Sequence, residues 1–254
     1  MDLAAYFARI GYDGPVRPDA ATLIGLHRAH RSAVPYENLD VQLGIPLTVD
    51  PQAAWDKIVT RRRGGWCFEQ NGVFALALEA IGFRVTRLAG AVLRAVAGDI
   101  RIGNHLVLLV DLGEPWVADV GFGAGGPFDP TPLREGPFGA GFRQLRLERI
   151  VDGWWRYHAL AGTGADSFDF HPELSDPAAM VRACAFLQTA PESPFVNNAM
   201  VNLAEADRVL SLVDRTLTII DAAGIRTSTI ADETEYRLIL ARDFRLEVAQ
   251  ISDI

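Results

Sequence analysis

The sequence predicts an α+β fold, a helical block followed by an antiparallel sheet curled toward a barrel. Up to Ile81, apolar residues recur at helical spacing between capping residues and glycine stops. From Phe83 the period changes to short alternating or apolar runs separated by Gly, Pro and Asp turns. The third observation is size: 254 residues with 49% apolar content can bury a sizeable core and suit two or three modest units better than one layer.

Residues 2–10 form a short helix ended by Gly11, and residues 19–31 repeat Leu23, Ile24, Leu26 and Ala29 before Pro35. Asp50 is a cap with Pro51 at the first helical position, opening a helix through Ile58 to about Arg62. Gly64-Gly65 breaks it, and a fourth helix runs from Trp66 or Cys67 through Val73, Phe74, Leu78 and Ile81 to Gly82. Strands are expected over 83–93, 105–112, 116–120, 142–151 and 154–160. Residues 172–193 mix turn residues with a helical or extended patch. Further strands are expected at 195–203, 209–220 and 236–239, with a short final helix at 244–251. No repeat, low-complexity segment or long linker interrupts the series, so the units are expected to pack together.

A net charge of −8 opposes phosphate backbones and argues against a nucleic-acid partner. The longest apolar runs, 74–78 and 106–110, fall far short of the roughly 20 residues that cross a bilayer, so no membrane partner is expected. Met1-Asp2-Leu3 opens no basic-then-apolar signal segment, so a cytoplasmic location is expected. Two cysteines there argue against a disulfide scaffold, and no second Cys or close His gives Cys67 a metal-ligand spacing, so no metal is expected.

Cys67 is then core filler or a working thiol. Cysteine is among the most buried residue types, which favours filler. Its position, between a glycine pair and the first turn of a helix, favours chemistry. Unpaired N–H groups and the positive end of the helix dipole favour thiolate, and the same N–H groups suit the oxyanion of a tetrahedral intermediate. His27 and His30 lie on an amphipathic helix, His158 sits in an aromatic strand and His171 precedes a proline; packing or surface roles suffice for all four. His105 opens the apolar run 105–110, where a polar ring needs a partner, and the equally apolar run 116–120 carries Asp119. A three-residue loop, Leu112-Gly113-Glu114, makes Asp111 face Pro115 and sets Asp119 diagonal to His105 on one face, about 7–8 Å apart at the backbone. A four-residue loop sends the two to opposite faces. A carboxylate there fixes the imidazole tautomer and stabilises imidazolium. The order Cys67, His105, Asp119 suits acyl transfer through a thioester, leaving protease, transglutaminase and acetyltransferase open.

The run Arg63-Gly64-Gly65-Trp66-Cys67-Phe68-Glu69-Gln70-Asn71 is preceded by Val34-Pro35-Tyr36-Glu37-Asn38-Leu39 and followed by Asn104-His105 and Asp119-Val120-Gly121-Phe122-Gly123. Together these resemble the arylamine N-acetyltransferases, over elements extending from the N-terminal helices to about Phe195. The resemblance implies an α+β fold with a helical bundle over 1–83 carrying the nucleophile, a β-barrel over 84–190 carrying His and Asp, and an α/β lid over 191–254, shortened at its C-terminal end. It implies Cys67, His105 and Asp119 as a triad of the cysteine-protease and transglutaminase kind. It also implies acetyl-CoA as donor, with ping-pong transfer to an arylamine, hydrazine or hydroxylamine. Carried over by position, Tyr36, Val92, Phe122 and Phe195 match the apolar acceptor pocket, although each ring equally suits ordinary core. Gly123 and Gly126, in the loop 121–127, match the coenzyme entrance; no Gly-Lys-Ser/Thr follows, so this is no phosphate-binding P-loop. Thr189 is what remains of a hydroxyl-rich run in many relatives and is the third expected coenzyme contact. Arg63 is expected to be structural, Cys184 core, and Glu69 and Asn71 stabilisers of the bundle. The early end after 244–248 leaves an alternative: the family's amide synthases, in which the thiol accepts a polyketide from a carrier protein and an internal arylamine closes a macrolactam.

Overall fold

Helix starts in this chain are set by short polar side chains. In the computed structural model, which describes residues 2–247, the Asp2 carboxylate accepts from the N–H groups of Ala4 and Ala5 and opens α1 (Leu3–Ile10). Gly11, at φ 68°, closes it, in the left-handed conformation that glycine adopts without cost. Asp19 caps α2 (Ala20–Ala33). The chain continues through β1 (Tyr36–Glu37), α3 (Leu39–Gln42), α4 (Pro51–Trp55) and α5 (Cys67–Ile81). Residues expected to prolong the helix at Pro51 instead form a π turn, Asp56–Thr60. These helices close around Tyr6, Leu23, Leu26, Ile58, Phe74 and Leu78.

The barrel comprises β2 (Arg84–Val92), β3 (His105–Asp111), β4 (Pro115–Ala118), β5 (Thr131–Pro132), β6 (Gly136–Phe138), β7 (Leu145–Arg149), β8 (Trp155–His158) and β9 (Ser167–Phe170), with the short helix α6 (Arg94–Ala97) after β2. The strand order is β5-β4-β3-β2-β9-β8-β7-β6, antiparallel throughout, and the sheet is nearly closed. Leu88, Val107, Leu147, Tyr157, Phe168 and Phe170 fill it. Asp111 pairs with Pro115 and Leu108 with Ala118, which is the three-residue register.

Beyond the barrel lie α7 (Pro177–Thr189), α8 (Pro194–Asn197), β10 (Met200–Ala204), β11 (Arg208–Val213), β12 (Thr216–Asp221), β13 (Gly224–Thr229) and α9 (Glu233–Phe244). Four of these strands form an antiparallel sheet whose first neighbour is β1 of the helical block, Tyr36 facing Asn202. Leu203, Leu210, Leu212, Ile239, Leu240 and Phe244 form its core.

Several expected elements are corrected here. Residues 236–239 lie within α9: Asp232 accepts from the Glu235 N–H, and this cap outweighs the apolar pattern that reads as a strand. Ser193 caps the short α8, so the strand expected from 195 begins only at Met200. The run 209–220 is two strands, broken at Asp214 with φ 50°. The patch in 172–193 is α7, opened by Asp176 and Pro177. Phe244 ends α9, and the rest of the helix expected over 244–251 lies largely outside the described residues.

Candidate active site

Cys67 is the first residue of α5. The start is fixed by Glu69, whose Oε2 accepts the Trp66 N–H at 3.1 Å, half of a capping box. The helix enters closely against the segment after β4: a Cβ on Gly121 would lie 2.9 Å from the Cα of Cys67. Asn71, one turn along α5, ties three pieces together. Its Nδ2 donates to the Leu106 carbonyl at 2.6 Å and to Asp119 Oδ1 at 2.8 Å, and its Oδ1 accepts from the Val120 N–H at 2.9 Å. This is why β4 ends at Ala118 and not at Val120: the backbone turns off the ladder to meet a side chain.

His105 Nε2 and Asp119 Oδ2 are 2.6 Å apart, with both side chains almost wholly buried at 1% and 0% exposure. Burial opposes ionisation of Asp119, but His105, Asn71 and the Gly121 N–H together hold the carboxyl below its usual range. The carboxylate therefore accepts from Nε2, which leaves the Nδ1 lone pair uncommitted. Nδ1 makes no hydrogen bond among the described residues. The thiol of Cys67 is pushed well up, first by burial and then by Asp119, while the N–H groups of Leu106 and Phe68 pull it down. Burial thus outweighs the helix-end effect expected from sequence, and ionisation of the sulfur depends on a proton acceptor. Leu106, whose N–H favours the thiolate, directly follows His105 in the chain.

The other expected site residues lie around this centre. The Phe122 ring is 5.2 Å from the imidazole and 4.8 Å from Phe168, itself 4.9 Å from His105. Val92 pairs with Phe168 at the end of β2. Tyr36 is buried, and after burial Cys67 is the largest influence raising its hydroxyl. Phe195 stacks edge-on to Trp66, 5.6 Å away. Gly123 opens a 3-10 turn, and its carbonyl and that of Gly126 accept from Arg31. Thr189 stands apart: it is exposed at the end of α7 and donates to the Ala185 carbonyl. Cys184 is buried and pushed up to about 12, chiefly by burial. Phe168 is a close neighbour of His105 that the sequence reading missed; the alternation Ser167-Phe168-Asp169-Phe170 was its signal. Among the described residues, no group of three His, Cys, Asp or Glu side chains is placed to hold a metal, and no helix is long and apolar enough to cross a membrane.

A sequence profile of the family described as N-acetyltransferase matches residues 19–253. The arylamine N-acetyltransferase of Mycobacterium tuberculosis strain H37Rv is 33% identical over 260 aligned residues, covering 100% of this chain and 92% of that protein. The chain belongs to the arylamine N-acetyltransferase family. The solved structure of the M. tuberculosis enzyme superposes with a TM-score of 0.89 at 33% identity, covering 98% of this chain and 96% of that one. Mycobacterium marinum arylamine N-acetyltransferase in complex with CoA superposes with the same score, 0.89, at 30% identity over 98% of this chain and 94% of its own. Membership makes the chain an acyltransferase, and these relatives lend no support to the macrolactam-forming alternative.

Proposed function

We propose that this chain transfers an acetyl group from acetyl-CoA to an arylamine through a thioester on Cys67, with His105 as base and Asp119 as its orienter. The 2.6 Å contact between His105 and Asp119, held by Asn71 against the first turn of the helix that bears Cys67, carries the reading. Family membership supplies the reaction class.

His105 Nδ1 takes the thiol proton as the sulfur attacks the acetyl carbonyl. The N–H groups at the start of α5 offset charge on the carbonyl oxygen. The tetrahedral adduct collapses, breaking the bond to the coenzyme sulfur, which leaves with the proton held by His105. An arylamine then attacks the thioester, passing its proton to Nδ1; collapse releases the amide and the proton returns to Cys67. Asp119 stays ionised and stabilises the imidazolium in both halves.

Phe122, Val92, Tyr36 and Phe195 form the wall for the aromatic acceptor, a role supported by the contacts of Phe122 with His105 and of Phe195 with Trp66. Gly123 and Gly126 let the coenzyme pass close to backbone, and Thr189 is an outer contact. Two unpaired buried thiols, Cys67 and Cys184, suit action in the reducing cytoplasm. The test is steady-state turnover of acetyl-CoA with an aniline. Parallel double-reciprocal lines with one CoA released per acetanilide are expected. Intersecting lines, or no transfer to the amine, would overturn the reading.

A further inference from the structure

Arg31, near the end of α2, carries a charge that the reaction scheme leaves unused. Its side chain is buried at 4% exposure, yet among the described residues no carboxylate hydrogen-bonds it. The guanidinium instead donates to three carbonyls of one short segment: Gly123 at 2.7 Å, Val120 at 3.2 Å and Gly126 at 3.4 Å. It seats against Gly126, where a Cβ would come within 3.3 Å of Nη2. Burial pulls its pKa down to about 10, against the influence of Asp119, so it stays charged at neutral pH. Nε has no acceptor. A buried guanidinium without a bonded anion is a poor way to build a core, since an apolar side chain of similar volume packs the same gap without desolvating a charge.

The segment it holds is buried but rich in glycine. Gly121, Gly123, Gly125 and Gly126 punctuate it, and glycine loses the most conformational freedom on ordering. Beyond Val120 and Gly121 the other side-chain tie is the Tyr157 hydroxyl, which donates to the Gly125 carbonyl at 2.7 Å. Phe122, in the middle, is the residue packed on His105. Asp119 is anchored from outside the segment by Asn71 and His105, and from its start by the Gly121 N–H.

We propose that Arg31 is a positioning residue for the acceptor half-reaction: it clamps residues 120–126 so that Phe122 stays against His105 as the wall on which the arylamine ring rests. This rests on the assignment of Cys67, His105 and Asp119 as the reacting groups. Since the Asn71–Asp119–His105 bonds lie outside the clamped segment, loss of the clamp leaves the rate constant of thiol acylation at saturating acetyl-CoA intact, while it loosens the coenzyme passage at Gly123 and Gly126 and blurs the acceptor site.

The test uses Arg31→Lys, which keeps the charge but not the three-carbonyl reach, and Arg31→Met, which keeps only the length. Rapid-mixing kinetics give the acylation rate constant at saturating acetyl-CoA without an amine, and steady-state kinetics give the KM for an aniline. The expected result is a rise of about tenfold or more in aniline KM, with the acylation rate constant within about twofold of the parent. Should Arg31→Met fail to fold, Arg31→Lys alone decides. Equal loss in both half-reactions, as a merely structural residue gives, or no change in either, overturns the proposal. Failure of the parent to take an acetyl group onto Cys67 would instead defeat the underlying function assignment, so the two failures are distinguishable.

Discussion

On the barrel side of the first turn of α5, Asn71, Asp119 and His105 form a chain of hydrogen bonds that ends in an imidazole nitrogen with no partner among the described residues. On the other side, Lys57 lies 2.8 Å from Asp40 and 3.0 Å from Glu69, and Arg63 lies 3.0 Å from Glu37 and 2.8 Å from Asp40. Both clusters are buried and both touch the helix that bears Cys67. The first retains an unused acceptor. The second spends its charges on one another, and Glu69 uses an oxygen to hold the Trp66 N–H. Burial alone therefore does not distinguish the two clusters; the imidazole nitrogen left without a partner does.

Breaking the first cluster is expected to have the largest effect. Asp119→Asn removes the acceptor that sets the imidazole tautomer, and His105→Gln removes the base. Each should lower kcat/KM on the order of 10³–10⁴-fold, measured on variants whose circular dichroism matches the parent. Breaking the second should act on stability instead. Lys57→Met strands Asp40 and Glu69 as buried carboxylates and is expected to cost about 3–5 kcal/mol in denaturant unfolding. The acylation rate of its folded fraction should stay near the parent's; a collapse of that rate would erase the distinction between the clusters.

A subtler effect comes from the charge count, three carboxylates against two cations. Burial, reinforced by Glu37 and opposed by Lys57, pushes Glu69 up to about 7. A raised carboxyl contributes stability that is fully present below its ordinary value, about 4.3, and is lost as pH rises through the folded value. The parent should lose stability between about pH 5 and about pH 8 that Glu69→Gln retains, measured by thermal unfolding across that window. The smallest effect is expected at Thr189, whose hydroxyl is exposed and already donates to Ala185. Thr189→Ala should change the KM for acetyl-CoA by about threefold or less.

The pairing of His105 with Asp119 in the first cluster was readable from sequence because a single hairpin sets it. Cys67 stands in a nine-residue motif, and a three-residue hairpin fixes the faces of His105 and Asp119; Asn71, expected only to stabilise the bundle, in fact ties α5 to Asp119. The second cluster was not readable. Lys57 comes inward on a π turn that helical periodicity does not announce, and its partners Glu37 and Asp40 meet it across distant parts of the chain. Phe168 and Arg31 escaped for the same reason, since their roles arise from β9 pairing with β2 and from α2 reaching the 120–126 segment. In the C-terminal region, apolar runs were read as strands where caps at Asp232 and Ser193 set helices.

Everything turns on the sulfur of Cys67 carrying the acetyl group. Intact mass spectrometry after mixing the protein with acetyl-CoA, without an amine, followed by peptide mapping, addresses this directly. One acetyl group, on the peptide containing Cys67, absent from Cys67→Ala and discharged on adding an aniline, is the predicted result. A folded parent that gains none, or gains it at Cys184 or elsewhere, contradicts the account.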